Sequence, residues 1–432
     1  MLPATDQDKE SNAVALLRTT AEVRERARGL LARARAYESR WFRINDGAMD
    51  NVAELVAEVT VVRYPNLEIP YHSRWRHFNA GDIDRAGLLD QRLAGVSADE
   101  RARAQIDLAL VSVLLDAGAG PDWAYRERDA AQGTEHAFAR SEGLAVASFH
   151  AFKRGLFSSD PNHKLRVDAA GLMALSAEQL GAAFQVRPGN TLAGLEERAA
   201  LLRRLGAVLT ARADVFGQII GNGNGNGNGN GDAAPVPRPG GLFDYLGGGP
   251  PVQAHSVLDV LIDALAPIWP AENVVEGVAM GDCWRHEAVR GPGASDGWMP
   301  FHALLQWLAY SLIEPLEWAG VKVAGIEALT GLPEYRNGGL LLDAGVLRPK
   351  DPRFAEKRWR VGDEFIVEWR ALTVALLDEL APLVRERLGL AEAQLPLAKV
   401  LEGGTWAAGR VLANRLRRGL PPVKMISDGT VF

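Results

Sequence analysis

Cysteine is nearly missing from this chain: Cys283 is the only one among 432 residues. A lone thiol excludes an internal disulfide framework and any zinc cluster built on several thiolates. Long apolar runs are missing too. The longest, around Ala303 to Ile313, is interrupted by Gln306 and falls well short of the roughly 20 residues of a membrane-spanning helix. The opening Met-Leu-Pro-Ala-Thr-Asp-Gln-Asp-Lys-Glu-Ser is polar and acidic, without a basic-then-apolar leader pattern. Positive charge is not in excess either. A net charge of −6 gives no global field to recruit nucleic acid or an acidic membrane. The expectation is a soluble cytoplasmic protein that binds neither.

Strand signals are scarce. The best is Glu58-Val-Thr-Val-Val-Arg-Tyr64; elsewhere apolar residues recur every three or four positions, the period of a helix face. The spacing predicts helices over Ser11 to Arg40, Ser97 to Asp116, Ser141 to Arg154, Thr191 to Phe216, His255 to Pro267, Phe301 to Trp318, Asp363 to Arg387 and Leu395 to Arg415. Ser97-Ala98-Asp99-Glu100 and Ser176-Ala177-Glu178-Gln179 have the spacing of capping boxes. The expected fold is mostly α: one large helical domain over residues 1–432, with few short strands and an N-terminal helical extension over 1–50. Residues 221–231 alternate Gly and Asn, followed by Asp-Ala-Ala-Pro-Val-Pro-Arg-Pro-Gly-Gly. Such a stretch buries nothing that offsets its ordering entropy, so 221–240 reads as a low-complexity loop within that domain.

Four breaks in the helical background gather polar and aromatic side chains. In Arg63 to Arg85, Pro65 and Pro70 prevent helix, while His72, Arg74, Trp75, Arg76 and His77 offer donors and rings. That segment reads either as a ligand-binding stretch or as a wrapping one whose Tyr64, Tyr71, Trp75 and Phe78 fill the core. Asp116 to Glu127 ends a helix on glycines and holds Trp123, able to stack on a planar ligand; Glu142, shortly after, sits where it would complement a helix dipole. Gly281 to Glu287 precedes an apolar helix on which His302, Gln306, Tyr310 and Glu314 recur every four residues. They form a polar stripe facing either solvent or a polar cleft. The last is Leu329-Thr-Gly-Leu-Pro-Glu-Tyr-Arg-Asn-Gly-Gly339. Glu334 there suits a general base or a stabiliser of developing positive charge, and Arg336 and Asn337 suit hydroxyls or phosphate. The alternative is a turn between helices with an exposed Glu–Arg pair, Gly338 and Gly339 supplying its conformational freedom. No spacing resembles a common metal site, and no phosphate-loop, dinucleotide or nucleophile-elbow motif is present.

Several stretches together resemble a known family. "YPNLEIPYHSRWRHF", "SVLLDAGAGPDWAY", "RSEGLAVASF", "LTGLPEYRNGG" and "GLPPVKMISDGTVF" are similar to the uracil-catabolism protein family of the URC pathway, from about Glu54 to Phe432. A more distant resemblance joins the chain to the queuosine-phosphate N-glycosylase (queuosine salvage) family, whose helical fold is likened to DNA glycosylases. That family has Leu-Thr followed by Asp-Tyr-Arg; here Leu329-Thr330 precede Glu334-Tyr335-Arg336. Its Lys-Arg-Ala-Gln run corresponds to Ala303-Leu304-Leu305-Gln306, with only the Gln kept.

These resemblances imply an N-ribosidic hydrolase acting on a urea- or ureide-bearing ribose 5-phosphate, with no cofactor and no metal. Glu334 is the expected catalytic carboxylate and Asp282 the second acid or base. Gln306, Tyr335 and Asn337 would hold the sugar or ureide, Arg285, Arg336 or His302 the phosphate, and Glu142 and Trp123 would complete the site. Other uracil-catabolism enzymes are the expected partners. The alternatives are a ureide amidohydrolase of the same pathway and a non-catalytic helical scaffold.

Overall fold

The computed structural model describes residues 13–128, 133–217, 236–247, 251–269 and 273–426; the Gly-Asn tract lies outside them. The helices that build the site are α1 (Thr20–Arg35), α2 (Met49–Arg63), α3 (Arg74–Phe78), α4 (Ala98–Leu114), α5 (Arg140–Lys153), α6 (Ala303–Trp318), α7 (Tyr335–Asp343), α8 (Glu364–Leu388) and α9 (Trp406–Arg417). The fold is mostly α. Strands among the described residues are two to five residues long and pair only two by two.

Local chemistry explains where the helices begin. The Ser97 hydroxyl accepts the N–H of Glu100 and opens α4, and Ser176 and Gln179 form the reciprocal capping box that the sequence predicts. Thr19 accepts the N–H of Glu22 and interrupts the long N-terminal pattern, so α1 starts at Thr20. One face of α1, with Val23, Ala27, Leu30 and Leu31, belongs to the main core and packs on α8. The segment read as an extension is thus built into the structure. α8 also packs on α2, α6 on α4, and α7 on α9. One buried apolar cluster runs through all these helices, from Val23 to Val423.

The strand expected at 58–64 is the last turns of α2. Val52, Ala53, Val56, Ala57 and Thr60 are buried at helical spacing while Val61 and Val62 face out. Burial of one helical face overrides the β-preference of the valines.

α9 follows the helix Leu397–Val400 through a π-helical turn, Leu401–Thr405. Two glycines make room for it. A Cβ on Gly404 would lie 2.4 Å from the Val56 carbonyl oxygen, and one on Gly403 would meet the Thr60 side chain at 3.1 Å. The turn therefore lies directly against α2.

Candidate active site

In the first break the aromatic and polar side chains separate. Trp75 and Phe78 are buried in the core, Trp75 donating its Nε1–H to the Ser311 carbonyl at 3.0 Å. The backbone N–H of His72 donates to Ala398 at 2.9 Å, fixing the approach to α3. His72, Arg74, Arg76 and His77 then meet side chains from α4, α5, α6 and the π turn.

Four rings define a chamber there. His72 lies 6.3 Å from each of His77, Trp307 and Trp406, and His77 lies 5.4 Å from Trp307 and 5.6 Å from Trp406. Three guanidiniums sit against the tryptophans, Arg74 5.3 Å from Trp307, and Arg336 and Arg410 5.8 and 5.7 Å from Trp406. A cleft of about 510 Å³ opens beside them, lined by Arg63, Arg76, His77, Glu402, Trp406 and Arg410 among others. Arg74, Arg336 and Trp307 are 0%, 6% and 8% exposed, yet Arg74 Nη2, Arg336 Nε and Trp307 Nε1 have no hydrogen-bond partner. A buried donor left unpaired costs about 1–3 kcal/mol. Three of them around the same rings make a place for a flat ligand rich in oxygen acceptors.

The surrounding network holds these groups in position. Arg74 donates to Asp116 at 2.5 Å and to Ser112 at 2.7 Å, while Ser141 donates to Asp116 at 2.6 Å. Burial raises the Asp116 carboxyl against the pull of Arg74. His77 Nδ1 lies 3.1 Å from Ser141 Oγ; burial, reinforced by Arg74, pulls its pKa well below the ordinary value, so the ring is neutral at pH 7. Glu402, on the π turn, meets His72 Nδ1 at 2.9 Å, Arg63 at 2.7 Å and the Tyr64 hydroxyl at 3.0 Å. Burial opposes ionisation of Glu402, but His72 and Arg63 win and hold it low. Glu314 takes Arg76 at 2.7 Å and the Ser73 hydroxyl, and burial outweighs Arg76 to keep its pKa raised.

The residues expected from sequence divide between this chamber and other places. Glu334 caps α7, accepting the N–H of Arg336 at 2.6 Å and of Asn337 at 2.7 Å. Burial pushes its carboxyl up against those two bonds, and His72 and Arg336 lie within its electrostatic reach. The residue as a whole is partly buried, and each carboxylate oxygen keeps acceptor capacity. Arg336 stacks on Tyr335 at 4.9 Å as well as on Trp406. Glu142 stands at the cleft, paired with Arg410 at 2.6 Å.

Other expected residues serve the fold. Asn337 is fully buried, donating to the Leu332 carbonyl and accepting from Thr405. Trp123 is a core side chain bonded to the Phe184 carbonyl at 2.9 Å, with no face free for a ligand. Asp282 receives two 2.7 Å bonds from Arg370, one from Trp284, and the Ala303 N–H at the start of α6. Although burial opposes its charge, Arg370 keeps it ionised below the ordinary range, which suits an anchor better than a proton carrier. Arg285 donates to the Asp296 carbonyl and stacks on Trp298, and His302 bonds the Leu17 carbonyl at 2.9 Å. These three share no contact with the chamber.

The polar stripe on α6 faces neither solvent nor one cleft. Its four members are buried, and together they tie three different segments: His302 to Leu17, Gln306 and Tyr310 to Thr330, Glu314 to α3. Gly338 and Gly339 lie within α7 rather than in a turn. Glu402 and Trp406 are the chamber residues that sequence reasoning leaves out, it passes over Trp307, and it singles out His72, Arg74 and His77 only as part of a stretch that either binds a ligand or wraps the core. The signal for the last three is the density of rings and cations at 72–77; for Glu402 it is the adjacent glycine pair. No group of three or more His, Cys, Asp or Glu placed to hold a metal occurs among the described residues, and none of their helices is long and apolar enough to cross a membrane.

Fold and chamber together describe a mostly helical protein with buried, unpaired donors around four rings, beside an open cleft of about 510 Å³. The chain belongs to the family described as "Protein of unknown function (DUF1688)", whose model matches residues 16–432. It is 39% identical over 433 residues to "Protein urg3" of Schizosaccharomyces pombe, covering 98% of this chain and 100% of that protein. It is 36% identical over 426 residues to "Uracil catabolism protein 4" of Lachancea kluyveri, covering 90% of this chain and 92% of the relative.

Proposed function

We propose that this protein is a hydrolase of uracil catabolism that cleaves the C1′–N bond of a ureido ribose 5-phosphate, giving ribose 5-phosphate and the free urea or ureide. The place in uracil catabolism rests on kinship over nearly the whole chain with a relative of that name. The reaction type rests on one observation above all: the Glu334 carboxylate has His72 and Arg336 within electrostatic reach, beside a chamber whose buried donors, Arg74 Nη2, Arg336 Nε and Trp307 Nε1, lack partners.

In the reaction a water oxygen bonds to C1′, the C1′–N bond breaks, and its electron pair leaves with the ureide nitrogen, which takes up a proton. Positive charge develops at C1′, and a carboxylate offsets it. Glu334 is that carboxylate. His72, oriented through Nδ1 by Glu402, carries the proton. The unpartnered Arg74 Nη2 and Trp307 Nε1 bind the oxygens of the ureide and sugar, and the rings enclose the flat ureide and exclude water. The test is to incubate purified protein with ribosylurea 5-phosphate and assay reducing sugar and urea. No release from it, or from nucleoside 5′-phosphates, would overturn this reading; ammonia without free sugar would point to the amidohydrolase instead.

A further inference from the structure

The chamber contains a second unsatisfied feature, on the side where α5, α7 and the end of α9 meet. Arg140, the first residue of α5, donates its Nη1–H to the Gly419 carbonyl at 2.7 Å, and Arg336 Nη1 lies 3.5 Å from the same oxygen. Neither guanidinium has an ion-pair partner among the described residues. Arg336 is 6% exposed and its Nε is unpartnered. Burying a guanidinium without a direct ion pair is costly, and bringing a second one to the same carbonyl adds like-charge repulsion.

The backbone is bent to achieve this. Arg140 holds φ at 56° and Arg418 at 52°, a region that costs a residue with a side chain of order 1 kcal/mol or more. Tyr335 lies against Arg336 at 4.9 Å, within electrostatic reach of Arg140 as well. Two cations and a phenol thus converge there; the Glu334 and Asp116 carboxylates lie within electrostatic reach of the phenol, but Asp116 is paired with Arg74 and Glu334 accepts backbone N–H groups.

We infer that Arg140 and Arg336 bind the phosphate monoester of the substrate, an inference that rests on the hydrolase reading for the identity of the ligand. A phosphate brings a charge of about −1.5 to −2 and three acceptor oxygens, enough to neutralise both guanidiniums and occupy their free N–H groups. Arg336 follows Glu334 by two residues, so the residue that anchors the phosphate and the carboxylate that acts at C1′ lie on the same helical turn.

Calorimetry on the full-length protein with inorganic phosphate, ribose 5-phosphate and ribose tests the assignment without requiring turnover. Ribose 5-phosphate should bind at least about tenfold tighter than ribose, and Arg336→Gln and Arg140→Gln should each weaken it by about tenfold or more, the value of one charge-assisted bond. The exposed Arg353→Gln should leave binding unchanged. Melting curves check folding, and the half-buried Arg140 keeps the test available if Arg336→Gln does not fold. Equal binding of ribose and ribose 5-phosphate, or unchanged affinity in the folded arginine variants, would overturn the inference. Full-rate hydrolysis of ribosylurea lacking its phosphate would keep the reaction and discard this site; arginine-dependent phosphate binding without hydrolysis would do the reverse.

Discussion

Glu334 Oε1 accepts the backbone N–H of Asn337 at 2.7 Å, so the carboxylate assigned to C1′ is also the cap that starts α7. Charge and cap can be separated by mutation. Glu334→Gln keeps one of the two cap bonds and loses the charge; turnover of ribosylurea 5-phosphate should fall about 100-fold or more, with a stability loss of only about 1 kcal/mol from the second cap bond. Glu334→Ala loses both and should cost about 1 kcal/mol of stability in addition. Near-normal turnover in Glu334→Gln would remove this residue from the reaction.

His72 and Glu402 are assigned different roles, one moving a proton and the other positioning it. His72→Gln should lower kcat by about 100-fold or more while KM changes little. Glu402→Gln should lower kcat through the misplaced ring, and Glu402→Asp should recover part of it. Equal losses in kcat and in melting temperature across all three variants would mark the pair as structural.

Gly338 is a packing glycine. A Cβ there would lie 2.8 Å from the Trp369 ring, whose Nε1–H donates to the Gly338 carbonyl at 3.1 Å. Gly338→Ala should destabilise the fold by about 1–3 kcal/mol, read by chemical denaturation. A neutral result would mean that α7 and α8 can separate freely.

Away from the chamber, Glu127 sets an acid limit on stability. Burial raises its carboxyl, but His150 and Arg85 pull it down to about 2 from the ordinary 4.5. With the folded pKa the lower one, its contribution is complete above pH 4.5 and disappears as pH falls from there to about 2, because the unfolded chain takes the proton first. Glu127→Gln should flatten the loss of stability over that window relative to wild type. Glu127→Ala, leaving the fully buried Arg85 unpaired, should cost about 3–5 kcal/mol at neutral pH.

The helical class was legible because it depends on local period and caps: Ser97 and Ser176 begin helices as their sequences imply. The valines of α2 misled because propensity is a short-range signal and burial of the opposite face is not. The site was half legible. Glu334 and Arg336 stand out as polar residues in a break, whereas Glu402 meets His72 across 330 positions, a separation no spacing rule reaches. The stripe of His302, Gln306, Tyr310 and Glu314 is real as a periodicity. Periodicity identifies a face, but partners such as Thr330 and Leu17 decide what that face does.

The π turn at Leu401–Thr405 has a further consequence, one of phase. Each residue of a helix advances the next side chain by about 100°. Deleting a single residue within the turn, even one whose side chain touches nothing, would swing Trp406 and Arg410 away from His72 and His77 while leaving the preceding helix in register. The chamber is thus timed like a gear train, and the extra residue in that turn is the tooth that keeps α9 in step with α3.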